Sequence, residues 1–271
     1  MAQPVPGRLQ AYGLTDIGRN RTLNEDSFYC DEELRLLLIA DGMGGHAAGE
    51  AASREAVSRI AEFLQRSRPE RDPEMTEPEA QEYDDESTLE DLPNPVIELV
   101  TAAIEHANAA IYGLNQARGY PDGQGMGTTI VGLWMPGPWD EAVIFNVGDS
   151  RLYLCREGRL LQLTKDHTWY QYWLDHGQIG PAPSSNIVMR ALGIAPQMPV
   201  SAHLQNLRHG DVILLCSDGL TSMVSDALIE KTLRELGGDQ LQAACGRLVE
   251  LSNEHGGRDN ITVILACYKE E

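Results

Sequence analysis

Positive charge is scarce in this chain of 271 residues: 21 Lys and Arg stand against 41 Asp and Glu, a formal net charge of −20. Neutralising a phosphate backbone needs the reverse balance, so the composition opposes nucleic-acid binding, and it opposes docking to an anionic membrane in the same way. Long apolar runs are missing too. The longest, Val263 to Tyr268, is far short of the roughly 20 residues of a membrane-spanning helix. Met1 to Pro6 has no basic start followed by an apolar stretch, so no secretory leader is expected, and the expected setting is soluble and cytoplasmic. The five cysteines (30, 155, 216, 245 and 267) form no Cys-x-x-Cys pair. An odd, scattered set argues against a disulfide framework and for buried, reduced thiols. No segment repeats and no linker interrupts the pattern, so one domain is expected over 1–271.

Much of the acidity is local. Between Glu70 and Asp91 there are eleven acids and one base, Arg71, in a stretch broken by Pro73 and Pro78. Residues 67–94 therefore read as a mobile surface insertion, either a plain solvated loop or a docking segment. Around it, hydrophobic periodicity predicts strands at 9–16, 27–30 and 34–41. A helix follows with Ala52, Ala56, Val57, Ile60 and Leu64 on one face. A second helix over 95–117 has Ile97, Val100, Ile104, Ala107, Ile111 and Leu114 as its buried stripe. Strands at 128–135 and 141–147 and a hairpin turning at Glu157-Gly158 come next. Thr164 or Asp166 is the expected cap of a helix whose Trp169, Tyr170 and Trp173 would form core or an interface. The last third reads as strands at 200–207 and 211–217, helices at 225–236 and 239–254, and a strand at 260–268. Strands and helices do not alternate strictly, which favours stacked antiparallel sheets flanked by helices over a doubly wound parallel sheet.

Four aspartates lie within two residues of one end of an apolar run, each next to glycine or one residue from it. Asp41 ends Leu36-Leu37-Leu38-Ile39-Ala40, Asp149 follows Val143 to Gly148, Asp218 follows Val212 to Ser217, and Asp259 precedes Ile261 to Ala266. If these runs pack as strands, the carboxylates gather at one end. Two carboxylates about 4 Å apart repel by roughly 4 kcal/mol at an effective dielectric near 20. Such a cluster needs a cation, and hard oxygen ligands favour Mg²⁺, Mn²⁺ or Ca²⁺. A single Asp-Gly is only a common turn pair; four such strand ends together carry the argument. Gly42-Met43-Gly44-Gly45 would let backbone approach a ligand and let a carbonyl serve as a metal oxygen. His46 beside it is a ligand, a general acid or a turn residue. Arg19 to Asp26 mixes arginines with acids: it is a charged surface loop or a phosphate grip, arginine being the bidentate partner of phosphate.

The ordered set Arg21-x-x-Asn24-Glu25-Asp26, Asp41-Gly42-Met43-Gly44-Gly45-His46, Gly127-Thr128-Thr129, Val147-Gly148-Asp149-Ser150-Arg151, Ser217-Asp218-Gly219-Leu220 and Gly257-Arg258-Asp259-Asn260 resembles the metal-dependent protein phosphatases of type 2C. It is most similar to the bacterial branch that opposes Hanks-type Ser/Thr kinases. The resemblance spans roughly residues 12–268. It implies an α+β fold, a four-layer αββα sandwich with two central antiparallel sheets. It implies a centre of two Mn²⁺ or Mg²⁺ ions, with Asp41 bridging both, Asp218 and Asp259 serving one and the Gly42 carbonyl the other. Glu25, Asp26 and Asn260 would stand behind these ligands, the two acids orienting coordinated water, while Asp149 with Asp218 matches a weaker third-ion site. Arg21 matches the arginine that grips the substrate phosphate, and His46 the histidine that protonates the leaving alkoxide. The implied activity is hydrolysis of phosphoserine and phosphothreonine in proteins by direct attack of a metal-bridging hydroxide, without a phosphoenzyme. The implied partners are phosphoprotein substrates and a cognate Ser/Thr kinase, and the expected state is a monomer.

Two features depart from that pattern: the acidic insertion is long, and a flap over about 165–193 looks shortened between Gly177 and Asn186. A catalytically silent relative would be expected to lose Asp41, Asp218, Asp259 or Arg21, and all four are present. A structural Ca²⁺ protein would carry an Asp-x-Asn-x-Asp-Gly loop, and none occurs. Deleting residues 70–91 should leave turnover of a small phosphate ester unchanged; loss of folding on deletion would show the insertion to be structural.

Overall fold

The computed structural model describes residues 8–44, 47–67, 94–137, 141–236, 238 and 240–270. His46 and most of the acidic insertion (68–93) lie outside the described residues. The elements run β1 (Arg8–Asp16), β2 (Asp26–Asp31), β3 (Leu36–Met43), α1 (Ala47–Arg66), α2 (Pro95–Ala117), β4 (Gly127–Thr128), β5 (Ile130–Trp134), β6 (Glu141–Val147), β7 (Arg151–Arg156), β8 (Arg159–Gln162), α3 (Trp169–Asp175), β9 (Ser201–Asn206), β10 (Val212–Cys216), α4 (Asp218–Thr221), α5 (Asp226–Leu236), α6 (Leu241–Glu254) and β11 (Ile261–Lys269).

One antiparallel sheet has the order β1-β11-β10-β7-β8 and the other β2-β3-β5-β6-β9, with β4 pairing with β3. Side-chain alternation along each strand sorts the apolar residues into three cores. Leu36, Leu38 and Ala40 of β3 pack under α1 and α2. Leu37 and Ile39 face the other sheet, meeting Ile213, Leu215, Ile264 and Ala266. The opposite faces of β10 and β11, with Leu214, Val263 and Leu265, pack under α5 and α6. The layers are thus helix, sheet, sheet, helix, as expected.

Local chemistry sets the helix limits. Asn94 caps α2, its side chain accepting from Val96 N and Ile97 N at 2.9 and 3.3 Å, with Pro95 at the first helical position. The buried stripe of α2 ends differently from the expected one: Leu114 is exposed and Asn115 points inward. Asn115 Nδ2 donates to Met126 O and Gly193 O, and its Oδ1 accepts from Met126 N. A polar side chain holding two loops outweighs an apolar one there.

The helix start expected at Thr164–His167 is corrected. Thr164 accepts from Leu152 N, and Asp166 is engaged by Arg151, so neither is free to cap. Thr168 caps α3, accepting from Gln171 N at 3.1 Å. Helix α3 buries no residue, and Trp169 and Tyr170 are exposed, so these aromatics are not core. They pair with each other's neighbours instead, Trp169 with Tyr172 and Tyr170 with Trp173. All five cysteines are free thiols, four buried and Cys30 half-buried.

Leu215 is fully buried between the sheets and Leu161 is 59% exposed. Leu215→Ala should therefore cost about 2–5 kcal/mol in urea denaturation, and Leu161→Ala less than about 0.5 kcal/mol.

Candidate metal centre

Residues that alternate onto the inter-sheet face continue past the apolar core into polar ones. On β3 the series Leu37, Ile39 leads to Asp41. On β2 Phe28 precedes inward from Asp26, and on β11 Ile264 from Thr262. Asp26 and Asp41 are register partners. The end of β10 pairs with the starts of β7 and β11, and the end of β1 with the start of β11. Asp218 opens α4 directly after β10, and Asp259 lies in the turn before β11. Strand pairing therefore brings these acids to one end of the sandwich.

Asp26 binds across the sheets. Its Oδ2 accepts from Thr262 Oγ1 at 2.6 Å and from Ser217 Oγ at 2.8 Å. Asn260 spans the same gap: its Oδ1 accepts from Glu25 N, and its Nδ2 donates to Ile17 O and Leu23 O. That fixes the β1–β2 loop carrying Arg21. Arg21 Nη2 lies 2.7 Å from Asp259 Oδ2, and Nη1 3.6 Å from Glu25 Oε2. Gly42 N donates to Glu25 O at 3.1 Å. A Cβ at Gly42 would meet Gly49 O at 2.2 Å and Glu25 O at 2.6 Å, so only glycine fits. The Asp41 backbone is held by Thr128 and Thr129: its N donates to Thr129 Oγ1, and its O accepts from Thr128 Oγ1 and Thr129 N. Thr129 Oγ1 also meets Ser150 Oγ at 2.8 Å, beside the buried Asp149.

The electrostatics are those of crowded acids. Burial, then Asp26, Asp218, Asp149 and Asp259, push Asp41 well above the usual carboxylate range. Burial pushes Asp26 up to about 7, against the opposing hydrogen bonds from Thr262 and Ser217. Asp149 rises to about 7 through burial, Asp218 and Asp166. Asp218 is raised by burial and by Asp259, with hydrogen bonding to Asp41 opposing. The hydrogen bond to Asp259 raises Arg21. His167, next to Asp166, moves the other way: burial and then Arg190 lower it to about 4.

The chemistry of this donor set fits hard divalent cations. Asp26 Oδ1 and Asp218 Oδ1 are buried and accept from no donor among the described residues, which is costly for a carboxylate unless a cation compensates it. Among the described residues, no three His, Cys, Asp or Glu side chains are arranged to hold an ion by themselves, so backbone oxygen and water would have to complete any shell. The structure thus brings Glu25, Asp26, Asp41, Gly42, Asp218, Asp259 and Asn260 together with Arg21, with Asp149 alongside; His46 is outside the described residues. Sequence reasoning missed Ser217 and Thr262. Their signal was parity: Ser217 continues Ile213 and Leu215, and Thr262 precedes Ile264, on the inter-sheet face.

Fold and site together define a helix-flanked double-sheet protein with a buried acidic centre and Arg21 set against its exposed side. Residues 17–250 match the family model described as protein phosphatase 2C. The chain is 37% identical over 257 residues to the serine/threonine protein phosphatase PstP of Mycobacterium tuberculosis, covering 93% of this chain and 43% of that protein. It thus spans less than half the length of that relative. It is 33% identical over 259 residues to the serine/threonine phosphatase stp of Listeria innocua, covering 93% of this chain and 92% of that one. Among solved structures, the M. tuberculosis PstP phosphatase superposes with a TM-score of 0.78 at 34% identity, covering 97% of this chain and 99% of that one. A structure of the PstP catalytic domain in complex with two manganese ions gives 0.76, with the same identity and coverage. The chain belongs to the protein phosphatase 2C family.

Asp26 and Asp149 have folded-state values near 7, above the unfolded value of about 3.9. The folded chain therefore binds more protons than the unfolded one between about pH 4 and pH 7, and stability from this source is lost as pH rises. In EDTA the Tm should fall across that window, and Asp26→Asn should flatten the slope. Mn²⁺ at about 100 times its Kd should restore about 2.7 kcal/mol near neutral pH. A Tm in EDTA independent of pH would show that the acids are not crowded.

Proposed function

We propose that this chain is a metal-dependent protein serine/threonine phosphatase. The observation that carries the reading is the buried Asp218 Oδ1, which no donor among the described residues satisfies, in a cluster of acids that Arg21 meets at Asp259, in a chain of this family. Asp41, Asp218 and Asp259 would hold two Mn²⁺ or Mg²⁺ ions together with the Gly42 carbonyl, and Asp149 with Asp218 would take a weaker third. Manganese is supported by the PstP complex; the choice between Mn²⁺ and Mg²⁺ is part of the proposal. When bound, such ions lower the pKa of water and offset charge on phosphoryl oxygens.

The chain's own residues do the rest. Phosphate monoesters are very slow to hydrolyse, so the site must lower the barrier by roughly 20 kcal/mol or more. Arg21 sits on the exposed side of the acids, its side chain 45% accessible, where a guanidinium can take two phosphoryl oxygens. Glu25 and Asp26 would orient coordinated water, and Asn260 keeps the β1–β2 loop in register. Thr128 and Thr129 fix Asp41 through its backbone. His46, outside the described residues, is the candidate donor to the leaving serine or threonine oxygen. The substrates are phosphoproteins, the opposing enzyme is a Hanks-type Ser/Thr kinase, and the protein acts as a cytoplasmic monomer. The same proposal holds one catalytic domain over 1–271 with an acidic insertion at 67–94 and a shortened flap at about 165–193.

Purified protein should hydrolyse p-nitrophenyl phosphate and phosphothreonine peptides with Mn²⁺ and stop in EDTA. Asp41→Ala and Asp218→Ala should each lower kcat by more than about a hundredfold, the upper end of what residues behind the ligands cost. Arg21→Ala should chiefly raise KM, by about tenfold or more, from losing charged hydrogen bonds of about 1.5–3 kcal/mol. Activity that survives complete metal removal, or unchanged kinetics in both Asp variants, would overturn the mechanism.

A further inference from the structure

Asp149 is reached through Gly148, whose φ is +110° and whose Cβ position would meet Thr129 at 2.6 Å. Only glycine makes this bend, and a glycine bend needs outside partners to stay in one conformation. Both polar groups of Gly148 meet His167, and Gly148 O takes a longer second bond from Asn146 Nδ2 at 3.5 Å. Gly148 N donates to His167 Nδ1 at 3.1 Å, and His167 N donates to Gly148 O at 2.9 Å. Because Nδ1 accepts, the ring proton is on Nε2, which donates to Ser201 Oγ on β9 at 2.9 Å. The imidazole is thus fixed in tautomer and orientation from both sides. Arg190 Nη1 stands 3.4 Å from the same Nε2.

The chain just beyond Asp149 is gripped from the same place. Arg151 Nε and Nη2 lie 3.0 and 2.7 Å from Asp166 Oδ1 and Oδ2. One dipeptide, Asp166-His167, therefore holds the residue before Asp149 and the residue two after it. The same stretch anchors the far leg of the 165–193 segment: Met189 N donates to His167 O at 2.8 Å, and Trp169 N donates to Ile187 O at 3.0 Å.

We propose that His167 is a positioning residue for Asp149, fixing the direction of its carboxylate and so the affinity of the accessory cation site, and tying that site to the 165–193 segment. This rests on the reading of Asp149 as a ligand of an accessory ion. Its ring meets Gly148, Ser201 and Arg190, and it acts on Asp149 through the Gly148 bend.

The test is Mn²⁺ titration of the full chain by calorimetry and electron paramagnetic resonance, with Tm recorded for every variant. Wild type should show tight sites and a weaker class, and Asp149→Asn should lose the weaker class. His167→Gln keeps a donor for Ser201 but places no acceptor at the Nδ1 position; it should weaken that class by about tenfold or more and leave the tight sites unchanged. His167→Asn places Oδ1 near the Nδ1 position and should hold the weaker class within about threefold of wild type, in line with retention of the bond that matters. The double variant Asp149→Asn/His167→Gln should match Asp149→Asn alone. Equal effects of Gln and Asn, an unchanged weaker class in His167→Gln, or loss of folding in that variant would each overturn the positioning role. If Asp149→Asn leaves every Mn²⁺ site intact, the reading of Asp149 as a ligand fails instead.

Discussion

One buried carboxylate fastens the two sheets at their acidic end. Asp26 belongs to an edge strand of the six-stranded sheet, and its Oδ2 takes hydrogen bonds from Thr262 of β11 and from Ser217, just past the end of β10 in the five-stranded sheet. Hydrogen bonds to a charged group contribute about 1.5–3 kcal/mol each, and leaving such a group unsatisfied costs more. This contact sets how closely the sheet ends approach. It also fixes Asp41, the register partner of Asp26, at the mouth of the interface. Gly42 follows because a side chain there would strike the Gly49 and Glu25 carbonyls, and the backbone of Glu25 is in turn tied to Asn260.

The same closeness creates the energetic problem that the centre must solve. Asp26, Asp41, Asp149, Asp218 and Asp259 stand within electrostatic reach of one another, and like charges in a poorly solvated space oppose folding. Two guanidinium groups relieve part of it. Arg21 lies on Asp259 at the exposed side, and Arg151 lies on Asp166 behind Asp149. A site of this kind trades stability for ion binding, so its local rules conflict with those of the surrounding core.

Much of this was legible in the sequence because it depends on short-range pattern. The six motifs, the alternating strands and the 95–117 helix follow from period and punctuation. The misses share a cause: tertiary partners. Thr164 and Asp166 look like helix caps, but β7 claims both through Leu152 N and Arg151. Leu114 fits the apolar stripe, yet Asn115 turns inward because Met126 and Gly193 offer it partners. Trp169 and Tyr170 have helical spacing, but α3 has no face against the core. Ser217 and Thr262 carry no chemistry of their own and become visible only once Asp26 is seen between them.

The position of β11 has a consequence for how the protein is made. In chain order it is the last strand, yet in its sheet it lies between β1 and β10. The contacts that close the centre span almost the whole chain: 238 residues from Arg21 to Asp259, 236 from Asp26 to Thr262 and 191 from Asp26 to Ser217. Pairings of such sequence separation form slowly, since loop closure precedes their reward. While the chain is being synthesised from its amino end, β1 must therefore wait with an open flank until β11 leaves the ribosome and slides in beside it. No earlier intermediate holds a complete acidic centre, because Asp259 and Thr262 arrive only with β11, which must find its place between β1 and β10.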